Sequence, residues 1–281
     1  MPAMYAHYLL GRETIPFFDS RVKEIVNAYR DLFDVGLQGP DFYFFDQMKY
    51  LRGKTFAKIG RQLHNEPCMK LINYFERIGI AKLDQANLAY IFGLIGHFSL
   101  DSTCHPYIDS WVKTLPYNHM RMETEFDRYL LERDGYDPRR FPLGNCILTE
   151  KSARFHIGYM YEGYGSAKDV ASLIHEYSMI KNAMRTPYNG QYYLYQGILS
   201  AVRIRKYIGG VFMGPQDEMS NITNPRLDTL FKEAQTRFIT LTNNYMAHYL
   251  YGTPLDEYFL RDFEVLPRGQ VLDNWDEKKR R

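Results

Sequence analysis

Eight residues in the first half of the chain have side chains that bind divalent metals: His7, Asp41, His64, His97, Asp101, His105, His119 and Glu123. The stretch His97-Phe-Ser-Leu-Asp101-Ser-Thr-Cys-His105 is the densest, and His119-Met-Arg-Met-Glu123 follows it. Spacing of i, i+4 puts both members of a pair on one helix face. Imidazole and carboxylate donors without thiolates suit hydrolytic zinc, with manganese or iron as alternatives. Burying an ionised Asp or an unpaired His in an apolar helix costs several kcal/mol, on the order of 2–7 for a neutral polar group. A His–Asp pair inside a core is an ordinary feature when it stands alone. Eight such residues together point to a multinuclear site.

The elements that must hold these residues read as helices. Asp19 precedes an amphipathic segment with Val22, Ile25, Val26, Tyr29, Leu32 and Phe33 on one face, which stops near Gly36. Gly39-Pro40 punctuates a loop that delivers Asp41. Phe56, Ile59, Leu63 and His64 share a face of the next helix, and Gly60, one turn before His64, would leave room for an ion. Pro67 opens a helix with Met69, Ile72, Phe75 and Ile78 inward. Asp84 caps a long, nearly all-apolar helix through Asp101, with His105 at its exit before Pro106. A helix from His119 to Leu131 follows, then a loop-rich divide over 134–150. Further helices are expected near 167–185, 190–208 and 225–250. The fold class is all-α: a metal-site region over 1–134 and a C-terminal helical region over 135–281, packed into one compact multi-helix domain.

Bulk composition narrows the function classes. The 281 residues carry 35 basic and 33 acidic side chains, a net charge of +2, which argues against electrostatically driven nucleic-acid binding. The terminal Lys-Lys-Arg-Arg run reads as a solvated tail. Three cysteines, Cys68, Cys104 and Cys146, make no disulfide framework. The first residues lack the pattern of a secretory signal, and the apolar stretch Leu88–Leu100 is too short to span a bilayer. A cytoplasmic protein in a reducing compartment is the expectation. His175-Glu176 begins like a zincin helix, but Met179 stands where a second histidine belongs. His156 and His248 are isolated, and Cys104 reads as a buried inert thiol.

On His7, Gly39-Pro40-Asp41, Leu63-His64, His97-x3-Asp101, His105 and His119-x3-Glu123, the chain resembles the bacterial zinc-dependent phospholipases C, the all-helical group related to the P1/S1 nucleases. The resemblance covers roughly residues 4 to 130. It implies two or three zinc ions: one held by Asp41, His64, His97 and Asp101, one by His105, His119 and Glu123, and a third reached by Asp101 and His7. The family completes the third zinc with an N-terminal tryptophan, whereas this sequence begins Met-Pro-Ala-Met-Tyr. The implied activity is hydrolysis of a phosphodiester, with Asp41 as ligand and general base. The partner would be a phospholipid or a smaller phosphodiester, with no stable membrane insertion and no nucleic acid. Phe42 and Arg61 fall at positions of the family's head-group pocket; an arginine there favours phosphate or carboxylate over a quaternary ammonium. Two other readings stay open on the same cluster: a nuclease or phosphomonoesterase, and a metal-stabilised protein without catalysis.

Overall fold

The computed structural model describes residues 3–46, 56–78, 84–114, 118–203 and 205–263. The chain is all-α, with no strand among the described residues. Among the described residues twelve α-helices follow one another: α1 Met4–Thr14, α2 Ser20–Ala28, α3 Arg30–Gly36, α4 Ala57–Asn65, α5 Cys68–Arg77, α6 Gln85–Thr114, α7 His119–Arg133, α8 Lys151–Met160, α9 Ala167–Ala183, α10 Asn189–Ala201, α11 Arg205–Ile208 and α12 Ser220–Tyr251. Asp19, Asn118 and Ser166 cap α2, α7 and α9 by accepting backbone N–H bonds from Arg21, Arg121 and Asp169. The basic tail and Met1-Pro2 lie outside the described residues.

The central element is α6. Its Tyr90, Ile91, Phe92, Leu94, Ile95 and Phe98 are fully buried. It packs against α3 on one side and α12 on the other, while α1 and α7 lie against it further along. The α3–α6 approach is close enough to exclude a side chain. A Cβ at Gly93 would stand 2.2 Å from the Phe33 carbonyl oxygen. One contiguous cluster of buried apolar residues runs from Ala3 to Phe263.

Several sequence expectations need correction. The helix after Asp19 breaks at Tyr29 (φ −127°, ψ 48°), so α2 and α3 are separate and redirect the chain toward α6. Helix α6 does not end before Pro106 but continues to Thr114. Proline there removes one backbone hydrogen bond, and the buried Tyr107 and Ile108 beyond it keep the helix packed. Ile78 is exposed, and Cys68 and Leu71 take the inward positions of α5 with Ile72 and Phe75. The expected 190–208 helix stops at Ala201, and α12 begins at Ser220 rather than near Pro225. Helix α8 had no expectation; its middle is only half-buried, which weakens the apolar period. Gly60 leaves space for aromatic rings rather than an ion, because a Cβ there would meet Phe44 and Tyr43 at 3.1 Å.

Candidate metal centre

The eight donors arrive from five segments and converge. His7 comes from α1, Asp41 from the 3₁₀ turn Gly39–Phe44 and His64 from α4. His97, Asp101 and His105 come from α6, and His119 and Glu123 from α7. Three sets of donor atoms lie close enough to share an ion: Asp41, His64 and His97; His7, His97 and Asp101; and His105, His119 and Glu123. His97 belongs to two of them.

Asp101 is the hub. Its Oδ1 lies 3.2 Å from His7 Nε2 and 3.5 Å from His105 Nε2, and its Oδ2 lies 3.3 Å from His97 Nε2. Glu123 Oε1 is 3.2 Å from Nε2 of both His105 and His119. Asp41 Oδ1 is 3.0 Å from His64 Nε2, which stands 3.5 Å from His97 Nε2.

Local backbone chemistry makes this convergence possible. Gly39 has φ +50° and lies directly beside the His97 ring; a Cβ on it would come within 2.2 Å of His97 Cδ2. Only glycine meets both demands at once. The turn it starts carries Asp41 into the centre. At the other end, Asp127 accepts hydrogen bonds from the Tyr5 and Ala6 N–H groups (3.2 and 2.8 Å). Those amides open α1, so the Asp127 carboxylate on α7 fixes the turn that carries His7.

The imidazoles are also held from behind. His64 Nδ1–H donates to the Gly60 carbonyl (2.7 Å), His105 Nδ1–H to the Phe263 carbonyl (3.0 Å) and His119 Nδ1–H to Asp109 Oδ1 (3.2 Å). Each bond sets the tautomer in which Nε2 offers its lone pair to the centre. His7 and His97 are oriented by packing instead, with ring centroids 4.5 Å apart and the Phe263 ring 5.6 Å from His97.

Burial and the neighbouring charges together set the charge state. Desolvation pushes the pKa of His97 well below the histidine range and lowers that of His7. Burial works against ionising Asp101, but His105, His97 and His7 overcome it and hold the carboxyl well below its usual range. Glu123 is likewise held low against burial by His119 and His105. Burial lowers His119, yet Glu123 and Asp109 outweigh it and raise the pKa to about 10. Burial raises the neighbouring Cys104 thiol, so it stays protonated.

These residues fit a cluster of divalent cations. Asp101 Oδ2 and Glu123 Oε2 are buried and have no hydrogen-bond partner, an arrangement that costs several kcal/mol unless a cation compensates it. Among the described residues no guanidinium or ammonium touches Asp101 or Glu123. A cavity of about 20 Å³, lined by His7, Asp101, Cys104, His105 and Glu123, has the volume of one water or ion. The donor set is nitrogen and oxygen only.

A family model described as "Zinc dependent phospholipase C" matches residues 5–186. The chain belongs to the zinc-dependent phospholipase C family. Neither the curated proteins nor the solved structures yield a match. Zinc is therefore the metal of the family, and the chain brings together His, Asp and Glu groups able to bind it. All eight sequence candidates for metal binding lie at this centre.

The two candidates for substrate contact differ in their surroundings. Phe42 is buried with its ring against Tyr43 and Tyr161. Arg61 is exposed on α4, three residues before His64. Sequence reasoning passed over Asp109, Asp127 and Phe263. Asp109 had a readable signal, since it lies four residues beyond His105, on the same helix and in the same i, i+4 series. Asp127 likewise follows Glu123 by four. Phe263 acts through its carbonyl and its ring, and nothing in its spacing marks it. Its N–H also donates to the His64 carbonyl (3.1 Å), so the end of the described chain closes over the site.

No helix among the described residues is long and apolar enough to cross a membrane.

Proposed function

We propose that the chain is a zinc-dependent phosphodiester hydrolase of phospholipase C type, acting on a phospholipid or a smaller phosphodiester. The observation that carries this reading is the convergence of five imidazoles and three carboxylates, from five separate segments, on one buried centre of a family defined by zinc. Bound zinc supplies a water that ionises near neutral pH and positive charge to neutralise phosphate oxygens. The chain's own residues have distinct tasks. Asp101 ties three imidazoles to one carboxylate. Asp41, beside His64, is the candidate base that orients or deprotonates the attacking water, which adds to phosphorus as the alkoxide leaves. Diacylglycerol and a phosphorylated head group would result from a phospholipid. His119 is the only one of the eight donors with substantial exposure, 22% against 4% or less for the others, so a phosphate would reach the centre from its side.

The same burial favours a second reading, in which the ions stabilise a helical scaffold without turnover. One experiment separates them. Metal analysis of the purified protein should find two or three zinc ions per chain. Bis(p-nitrophenyl) phosphate should be hydrolysed, with activity lost on chelation and restored by zinc. Zinc without turnover on that ester or on phospholipid would leave the scaffold reading standing. A folded protein that takes up no metal would sink both.

A further inference from the structure

The family model ends at residue 186, and what lies beyond it still takes part in the metal centre. Helix α12 ends at Tyr251, and residues 253–263 carry the chain on to the donors. Asn244 on α12 fastens the start of this segment. Its Nδ2 donates to the Pro254 carbonyl (3.1 Å), and its Oδ1 accepts from the Asp256 N–H (2.8 Å). Phe259 then enters the core against Phe98, with ring centroids 5.9 Å apart. Tyr258 carries two guanidinium groups on its ring: Cζ of Arg237 and Cζ of Arg261 each lie 4.4 Å from the centroid. Its hydroxyl is 3.1 Å from Oγ of Ser102, the residue after Asp101.

The last residues of the segment meet two helix ends. His64 lies in the final turn of α4, where a backbone carbonyl has no partner inside the helix. The Phe263 N–H supplies one (3.1 Å). Helix α5 begins at Cys68, whose N–H likewise lacks an acceptor within the helix. The Arg261 carbonyl accepts it (3.0 Å). The Phe263 carbonyl accepts from His105 Nδ1–H (3.0 Å), and the Phe263 ring lies 5.4 Å from that of His64 and 5.6 Å from that of His97. One fully buried residue thus reaches three imidazoles carried by two different helices.

We propose that Tyr258 and Phe263 are positioning residues of the metal centre, and that docking of the 253–263 segment and zinc binding reinforce each other. Phe263 orients His64 and His105, and Tyr258 holds the segment that delivers Phe263. When the segment leaves, His105 loses the acceptor that fixes its tautomer and His64 loses the bond at its helix end. The ions then lose two aligned donors. Conversely, an ion that fixes both rings stabilises the docked segment by the same free energy, because coupling between two sites is reciprocal. The segment is suited to this exchange. Thr253, Pro254, Glu257 and Leu260 are exposed, so it is held at a few points and opens at low cost beside the helices it covers. The proposal rests on zinc occupying the centre and is independent of hydrolysis.

Two measurements on the full chain test the coupling. The first is zinc titration against a competing chelator, on variants shown by circular dichroism to be folded. Tyr258→Leu should lower zinc affinity about tenfold. Tyr258→Phe keeps the ring, loses only the Ser102 contact, and should recover most of the loss. A merely structural tyrosine would lower the Tm of the metal-free protein and leave the zinc affinity of the folded variant unchanged. The second is hydrogen exchange. Removing zinc from the wild type should speed exchange over 256–263 about tenfold, while residues 227–246 of α12 keep their protection. Asn244→Ala touches no donor and should speed the same amides in the zinc-free protein, with zinc restoring protection; this arm decides the matter even where Tyr258→Leu does not fold. Wild-type affinity in folded Tyr258→Leu, or exchange over 256–263 that is indifferent to zinc, overturns the proposal. Wild-type protein that binds no zinc overturns it together with the metal centre. Coupling without hydrolysis of bis(p-nitrophenyl) phosphate supports it and counts only against the hydrolase.

Discussion

Asp109 Oδ1 accepts a hydrogen bond from His119 Nδ1 at 3.2 Å, and the opposite nitrogen of that ring faces Glu123 Oε1 at the same distance. A carboxylate behind an imidazole fixes its tautomer and strengthens it as a donor. Asp109→Ala should lower zinc affinity about 10–100-fold, measured by titration against a competing chelator. Asp109→Asn keeps an acceptor oxygen and should recover part of the loss. Equal affinity in wild type and the alanine variant would remove Asp109 from the site.

The second prediction concerns the hub. Asp101 has three imidazole nitrogens within 3.5 Å. Asp101→Asn should lower the zinc content by at least one ion per chain and abolish ester hydrolysis. Unchanged metal content and turnover would rule out the assignment.

The pH dependence follows from His119. Its pKa in the metal-free protein is raised above the histidine range to about 10 by Glu123 and Asp109 against burial. A raised folded pKa contributes stability that is fully present below pH 6.5 and lost as pH rises through about 10. Zinc needs the deprotonated ring. Affinity should therefore climb across that window, and uptake near pH 8 should release about one proton from this residue. Calorimetry in two buffers of different ionisation enthalpy measures the release, which His119→Ala should abolish.

Asp127 offers a structural test. It accepts the N–H groups of Tyr5 and Ala6, and the buried Lys181 partly offsets its charge. Asp127→Ala should destabilise the fold by about 3–5 kcal/mol in denaturant titration and lower zinc affinity through His7; Asp127→Asn should be milder. Burial raises the Asp127 pKa to about 7. Its contribution is thus greatest below the unfolded value near 4 and is lost as pH rises through 7, a slope the asparagine variant should flatten.

Gly39→Ala should be costly despite adding one methyl group. The left-handed backbone alone costs about 1–2 kcal/mol, and the new Cβ would drive into the His97 ring. A drop in both Tm and zinc affinity is expected. Wild-type values for both would show that the turn can move aside.

Much of the centre was legible because its donors obey helix geometry. His97-Asp101-His105 and His119-Glu123 announce themselves by spacing, and Gly39-Pro40 announces the turn that delivers Asp41. What spacing cannot reveal is a contact made by backbone or by a residue distant in the chain. Phe263 reaches His105 through a carbonyl, 158 residues away. Pro106 misled for the opposite reason: a local rule for helix ends lost to the packing of Tyr107 and Ile108 beyond it. Tyr29 lies in phase with its apolar neighbours although the helix breaks there, since period records burial and not continuity.

Helix α6 runs unbroken through Pro106, so His97, Asp101, His105 and Asp109 share one ruler. Each four-residue step advances about 6 Å and turns about 40°. The four side chains therefore wind around the rod like treads on a spiral stair, with Asp101 between His97 and His105 and Asp109 behind His119. One residue inserted between them would swing every later tread by about 100° and misalign the imidazoles beyond it. No neighbouring loop could absorb that error, so this segment should accept exchanges of side chain far more readily than any change of length.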